Sequence, residues 1–197
     1  NDRLEANAGI RHDRTQSFGE NRLTNRVTVD RSNRHNTKRV GALCKVLPGL
    51  GVFYNHSETF TPQFALNPDG TGFEPTEGVI AEAGLKSDLL QGRISGVISA
   101  FSVENKNLIV NDPDPLRASA GFRTQSARDV IEGVEFDLHF NVVKNLQVLA
   151  SYSKLKSKNQ NRLRVRDVPE NTMALLASYR FTRGRNDTFG WTVGAGW

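Results

Sequence analysis

Residues 173–197 read MALLASYRFTRGRNDTFGWTVGAGW, and large side chains return at every second position on either side of a polar break. In the last segment Phe189, Trp191, Val193, Ala195 and Trp197 share one face, while Gly190, Thr192, Gly194 and Gly196 share the other. Before the break, Met173, Leu175, Ala177, Tyr179 and Phe181 stand against Ala174, Ser178 and Arg180, with Leu176 as the exception. A period of two is that of a β-strand with one apolar face. The Gly/Asn/Asp break between them predicts a tight turn joining two antiparallel strands.

The same pattern repeats upstream. Val134, Phe136, Leu138 and Phe140 alternate with Gly133, Glu135, Asp137 and His139, and Leu146, Val148, Ala150 and Tyr152 alternate with Gln147, Ser151 and Ser153. Weaker versions occur at Leu4 to Ile10, Val40 to Val46, Leu50 to Tyr54 and Val79 to Leu85; in 93–103 both faces carry apolar residues, so the orientation stays open. Each segment is near the roughly 9 to 11 residues that a tilted strand needs to cross a bilayer, and about nine strands result. The connections alternate in length. Short turns are expected at 47–49, 87–92, 141–145 and 182–188, and long polar stretches at 11–37, 58–77, 104–128 and 156–172. Antiparallel strands crossing a membrane produce that asymmetry, because turns on one side stay tight while loops on the other lengthen. All seven prolines fall in the connections, as a ladder that needs every backbone donor requires. Phe181, Phe189 and Trp191 gather round one short turn and Phe140 edges another, which suits an aromatic girdle at the interface.

Composition is consistent with this fold class. Only 37% of residues are hydrophobic and mean hydropathy is -0.48, yet a barrel strand turns half its residues away from lipid, so a soluble-like average is expected. No stretch approaches the roughly 18 consecutive apolar residues of a spanning helix. Cys44 is the single cysteine, which excludes an internal disulfide and a cysteine-rich zinc site. Net charge is +5, concentrated in two cation-rich stretches read as loops: Arg22, Arg26, Arg31, Arg34, Lys38 and Arg39, then Lys154, Lys156, Lys158, Arg162, Arg164 and Arg166. Such patches attract an anionic solute or lipid phosphates, or serve as solvated loop charge.

Several stretches, in order, resemble the TonB-dependent siderophore receptors of Gram-negative bacteria. They are TKRVGALCKVLPGLGVFYNHSETFTP (37–62), EAGLKSDLLQGRISGVISAFSVENKN (82–107), the G-x-E-x-D and N-L-x-x-x-A-S-Y-S run within 133–154, and Val168-Pro169 leading into 175–181. The resemblance implies an all-β, antiparallel transmembrane barrel of about 22 strands, filled by an N-terminal plug. It also implies an outer-membrane importer of ferric siderophores, energised by the TonB complex through that plug. Nine strands cannot close antiparallel, and the opening Asn1-Asp2-Arg3-Leu4-Glu5 lacks a secretory signal. The expectation is therefore that 1–197 is a partial barrel domain, an incomplete wall without plug, signal peptide or closing strands. Outer-membrane lipid, a ferric siderophore and the TonB complex are the expected partners, and nucleic acid is not among them.

Catalysis is not expected. His12, His35, His56 and His139 are scattered without HExxH spacing, and no phosphate-binding glycine loop occurs. Glu135, Asp137 and His139 share a strand face, where hydrogen bonds to a plug or to arginines are the plainer reading than a metal site. No cofactor is expected, since iron arrives already chelated. For ligand contact the candidates are Phe60, Phe64 and Phe73 in one long stretch and Arg123 in another, aromatic faces and a guanidinium being suited to chelate surfaces and anionic oxygens. Two other readings share the strand pattern: a passive porin or adhesin barrel, and a soluble β-sandwich binding module. The sandwich would bury Trp191, Val193, Leu175 and Phe136 against a second layer of protein.

Overall fold

The computed structural model describes residues 3–23, 26–143, 145–165, 167–183 and 189–197. Most of the turn expected at 182–188, Lys144, the Arg166 cation and the side chains of Arg26 and Phe189 lie outside the described residues. The chain forms β1 (Leu4–Asn21), β2 (Arg26–Leu47), β3 (Leu50–Thr61), β4 (Thr76–Leu89), β5 (Ile94–Asn111), a short helix α1 (Pro115–Ser119), β6 (Arg123–Val143), β7 (Leu146–Lys158), β8 (Asn171–Arg183) and β9 (Phe189–Gly196). The nine strands make one sheet in sequence order, each antiparallel to its neighbour. In the turn joining β2 to β3, Pro48 presets φ and Gly49 takes φ +75°, where a Cβ would run into the Asp88 carbonyl oxygen.

Register gathers most of the large apolar residues of the strands on one face. Leu4 faces Cys44, Cys44 faces Val52, Val52 faces Leu85, Leu85 faces Ile98, Ile98 faces Phe136, Phe136 faces Tyr152 and Tyr152 faces Met173. Cross-strand partners share a face, so this row settles β5: Ile94, Gly96, Ile98 and Ala100 lie on the apolar side, and Val97, Ser99 and Phe101 on the other. The apolar band drifts along the strands, from Val40–Val46 on β2 to Met173–Phe181 on β8, as expected for strands tilted to the membrane normal.

Among the described residues, no second layer of protein covers this face. Trp191 is 69% exposed, Val193 62% and Leu175 48%, and Phe136 is only half-buried. Among the described residues, no side chain is fully buried. Each large apolar side chain left in water forgoes about 1.5–3 kcal/mol, so a row of them requires hydrocarbon as its solvent. The β-sandwich reading is thereby excluded.

The structure corrects the extent of the long connections. β1 and β2 stay paired residue for residue from Leu4↔Cys44 to Gly19↔Val29, so most of 11–37 is strand and not loop. β5 and β6 likewise run through much of 104–128. Their cation-rich segments move with them: Arg31, Arg34, Lys38 and Arg39 lie on β2, and Lys154, Lys156 and Lys158 on β7. The reason is chemical. Above the lipid both faces are polar, so a strand continues there with no hydrophobic alternation to reveal it. β1 has 18 residues and β2 has 22, about twice the roughly 10 needed to span. The wall therefore rises well past the apolar band before its longer connections, 62–75, 112–122 and 159–170, begin.

Candidate functional site

The polar face is the concave one. Along β1 and β2 its odd-numbered residues, Asp13, Thr15, Ser17, Arg31, Asn33 and His35, are half-buried, while their even-numbered neighbours are exposed. A hollow of about 570 Å³ lies against β1–β5, lined on the concave side by Glu5, Asn7, Leu43, Phe53, Asn55, Glu82, Lys86 and Val97. A second, of about 470 Å³, is lined by Ser95, Asp137, His139, Leu149, Ser151 and Leu176. Lys45 pairs with Glu5 at 2.7 Å across the lower wall. Glu135, Asp137 and His139 do share this face, opposite Ser99, Val97 and Ser95. Successive same-face residues on a strand stand about 6.6 Å apart, and among the described residues no three His, Cys, Asp or Glu side chains converge to hold a metal.

At the upper rim, the 62–75 connection is fastened across the wall. It closes on itself through Asn67 and Thr71, whose backbones bond at 2.8 Å, and Asp69 accepts both the Thr71 amide at 2.9 Å and its hydroxyl at 2.7 Å. Those two bonds hold the Asp69 carboxyl below the usual carboxylate range. On the β2 side, Arg31 Nη1 donates to the Phe73 carbonyl at 3.1 Å, and a Cβ at Gly72 would occupy the guanidinium's place. On the β6 side, the Arg123 amide donates to Asn67 Oδ1 at 2.9 Å. Gln125 accepts the Glu74 amide at 2.6 Å and donates to the carbonyls of Glu74 at 2.5 Å and Asn107 at 3.0 Å. The Asn107 side chain donates to the Pro75 carbonyl at 3.1 Å. One connection thus ties β2 to β6 over the tops of three intervening strands.

The four expected contact residues fall into two groups. Phe60 is not in a loop but near the end of β3, where it stacks on His35 with centroids 4.7 Å apart and planes 7° apart. His35 Nδ1 also stands 3.8 Å from Glu77 Oε1. Phe73 is 4% exposed and packs within the fastened connection. Phe64 is 56% exposed, and Arg123, at the start of β6, has an exposed side chain. Phe64 and Arg123 are brought to the same part of the rim because Asn67, three residues after Phe64, receives the Arg123 amide. Arg31, His35 and Gln125 were absent from the sequence candidates. An isolated Gln, a lone His and one arginine of a cation-rich run do not point to a common place until register assembles them.

A single antiparallel sheet, apolar on its convex side, polar on its concave side, tightly turned at one end and looped at the other, is the wall of a transmembrane β-barrel. The chain belongs to the TonB-dependent receptor-like β-barrel family, whose model matches residues 1–197. It is 30% identical over 197 residues to the metal-pseudopaline receptor CntO of Pseudomonas aeruginosa strain UCBPP-PA14, covering 93% of this chain and 27% of that one. It is 24% identical over 164 residues to the ferripyoverdine receptor of Pseudomonas aeruginosa, covering 80% and 20%. In fold it matches the pyoverdine outer membrane receptor FpvA of Pseudomonas aeruginosa PAO1 with TM-score 0.76 at 21% identity, over 100% of this chain and 29% of that one. The ferric preacinetobactin receptor BauA of Acinetobacter baumannii gives TM-score 0.74 at 19% identity, over 99% and 29%. The chain spans about a quarter of the length of the curated relatives it matches. Membership in a receptor family displaces the passive porin and adhesin readings.

Proposed function

We propose that residues 1–197 are a run of wall strands in the barrel domain of an outer-membrane receptor that imports a siderophore-type metal chelate, with energy delivered through the TonB complex. The observation that carries this reading is the family match along the whole chain, joined to relatives named as receptors for metal-pseudopaline and ferric pyoverdines. The wall's chemistry supports it: a greasy convex face for lipid and a polar concave face for a hydrated interior. No group in the wall is assigned to bond-making. The cargo metal travels inside its chelate, so the wall's task is to hold a lumen and a mouth.

At the mouth, Phe64 and Arg123 are the proposed contacts with the chelate. An exposed ring offers a face for an aromatic or peptidic surface, and a guanidinium offers paired donors to anionic chelate oxygens. Phe60 and Phe73 act from behind, by fixing the connection that carries Phe64. The test is uptake of radioiron-labelled siderophores by iron-starved cells that depend on the intact protein. Uptake of one chelate class, abolished by a protonophore or by loss of TonB, is the expected result. Equal accumulation in de-energised cells, as a passive pore allows, would refute it. Arg123→Ala and Phe64→Ala should each weaken chelate binding by about 1–2 kcal/mol, roughly five- to thirtyfold, with surface abundance unchanged.

A further inference from the structure

β2 outruns its neighbour on one side. It pairs with β3 from Leu47↔Leu50 only as far as Arg39↔Ser57, yet it stays paired with β1 beyond Thr37 to Val29, while β3 goes on with β4 to Thr61↔Thr76. Among the described residues, 11–19 and 29–37 therefore make a two-stranded arm that no longer pairs with β3. At the parting, the Lys38 amide donates to Glu58 Oε2 at 3.0 Å, a side chain taking the place of a ladder carbonyl. A two-stranded ribbon holds little structure by itself, so the arm's position depends on what its half-buried face touches.

Those contacts are few and polar. Thr37 is buried at the arm's base, and among the described residues the buried Thr15 hydroxyl finds no hydrogen-bond partner. Arg31 reaches the Phe73 carbonyl at 3.1 Å and stands 4.0 Å from Glu74. His35 stacks on Phe60 of β3 and stands 3.8 Å from Glu77 of β4, too far for a hydrogen bond. The other charges round His35 have their own partners. Asp13, opposite it on β1, takes Arg11 Nε at 2.7 Å, and Lys106, opposite Glu77 on β5, lies 3.3 Å from Glu104. On β2 itself, Arg31 is turned to Glu74 and Arg39 is exposed. That leaves His35 and Glu77 facing each other.

We propose that the arm is a proton-responsive latch on the 62–75 connection: gain of charge by His35 draws it onto Glu77, fixes the arm and, through Arg31, stiffens the connection that carries Phe64. Its regulatory meaning rests on the reading of Phe64 as a chelate contact; the latch itself does not. Histidine is the side chain that changes charge between about pH 5 and 8. Both contacts of His35 respond in the same sense, because an imidazolium gains an ion pair with Glu77 and a cation–π attraction to Phe60, where a neutral ring has the stack alone. The latch therefore holds in mild acid and loosens as pH rises through the histidine range.

The test is the distance between nitroxide labels at Ser32→Cys on the arm and Leu116→Cys on α1, both exposed positions. The intact protein, with Cys44→Ser, is held in nonionic detergent and read by pulsed electron resonance at about pH 5.5 and about pH 8. The latch predicts one narrow distance in acid and, at the higher pH, a broad distribution whose displaced fraction is about two- to fivefold larger. His35→Gln and Glu77→Gln should each give the broad distribution at both pH values. His12→Gln, at an exposed position of the arm, should keep the wild-type response. Distances that ignore pH overturn the latch, and so does a pH response that survives His35→Gln, which traces it to another group such as Asp13 or Glu58. Heat-modifiable gel mobility reports that each variant's barrel is assembled. The measurement needs no chelate, so the two levels separate. Indifferent distances alongside energised uptake sink the latch alone, whereas a working latch in a protein without uptake sinks the importer reading alone.

Discussion

One amide side chain carries much of the rim's order. Gln125 uses its carbonyl on the Glu74 amide and its amino group on two backbone carbonyls, those of Glu74 and Asn107. Removing it strands three backbone groups in a half-buried place, at a cost of about 1–3 kcal/mol. Gln125→Ala should therefore loosen the 62–75 connection without disturbing the sheet beneath it. Hydrogen exchange at the Glu74 amide is expected to quicken about tenfold to a hundredfold, with amides of β3 and β4 below the rim unchanged. Unchanged exchange at Glu74 would show that Arg31 and Asn67 fix the connection by themselves. The same place shows why site residues were hard to read from sequence. An aromatic in a polar stretch looks ligand-facing, yet Phe73 is turned inward because its carbonyl and its neighbour Glu74 are gripped from β2 and β6. Those partners lie 42 and 51 positions away, and no local pattern announces them.

The elements differ in legibility for a physical reason. Where one face meets lipid and the other water, as in β6 to β9, alternation is enforced and the strands stand out in sequence. β5 escaped orientation because its concave face carries Val97, Phe101 and Val103 as well; hydrogen-bonded neighbours had to decide it. The upper halves of β1 and β2 escaped altogether, since apart from Phe18 and Gly19 the described side chains there are polar on both faces. The helix α1 is a different case, with five residues too few to persist alone. Its N-cap Asp114 accepts the Leu116 amide at 2.9 Å, and Asp112 braces the approach by accepting the Asp114 amide at 3.0 Å and Arg117 Nε at 3.0 Å. The Asp114 amide and then Arg117 hold the Asp112 carboxyl below its ordinary range. A carboxylate with a lowered folded pKa contributes fully above its unfolded value, about 4, and loses that contribution as pH falls through the lower folded one. Protection of the Ala118 and Ala120 amides should thus be flat from pH 8 to 5 after correction for intrinsic exchange, and decline below about pH 4. Asp112→Asn should show the acid-like loss already at pH 7. Equal corrected protection at pH 7 and pH 3 would assign the order of α1 to its cap and Pro115 instead.

For the molecule as a whole, the decisive quantity is which solvent each face meets, and adjacent residues on β5 test it most directly. Val97 and Ile98 are neighbours of similar size, shape and β-propensity, so the backbone cost of replacing either is nearly the same. Ile98 stands between Leu85 and Phe136 on the convex face, whereas Val97 stands between Lys86 and Asp137 on the concave one. An arginine at 98 would have to enter hydrocarbon near the middle of the band, at about 2–4 kcal/mol. At 97 the same side chain reaches a hydrated interior with Asp137 opposite, and its cost should be a fraction of that. Ile98→Arg should therefore reduce assembled, heat-modifiable barrel in the membrane severalfold, while Val97→Arg leaves most of it intact. If the order is reversed, the sheet is inside out. If both variants fail alike, that stretch of the concave face is packed against protein and closed to water. Only a sheet with lipid on one side and a wet interior on the other makes a single step along the chain matter this much.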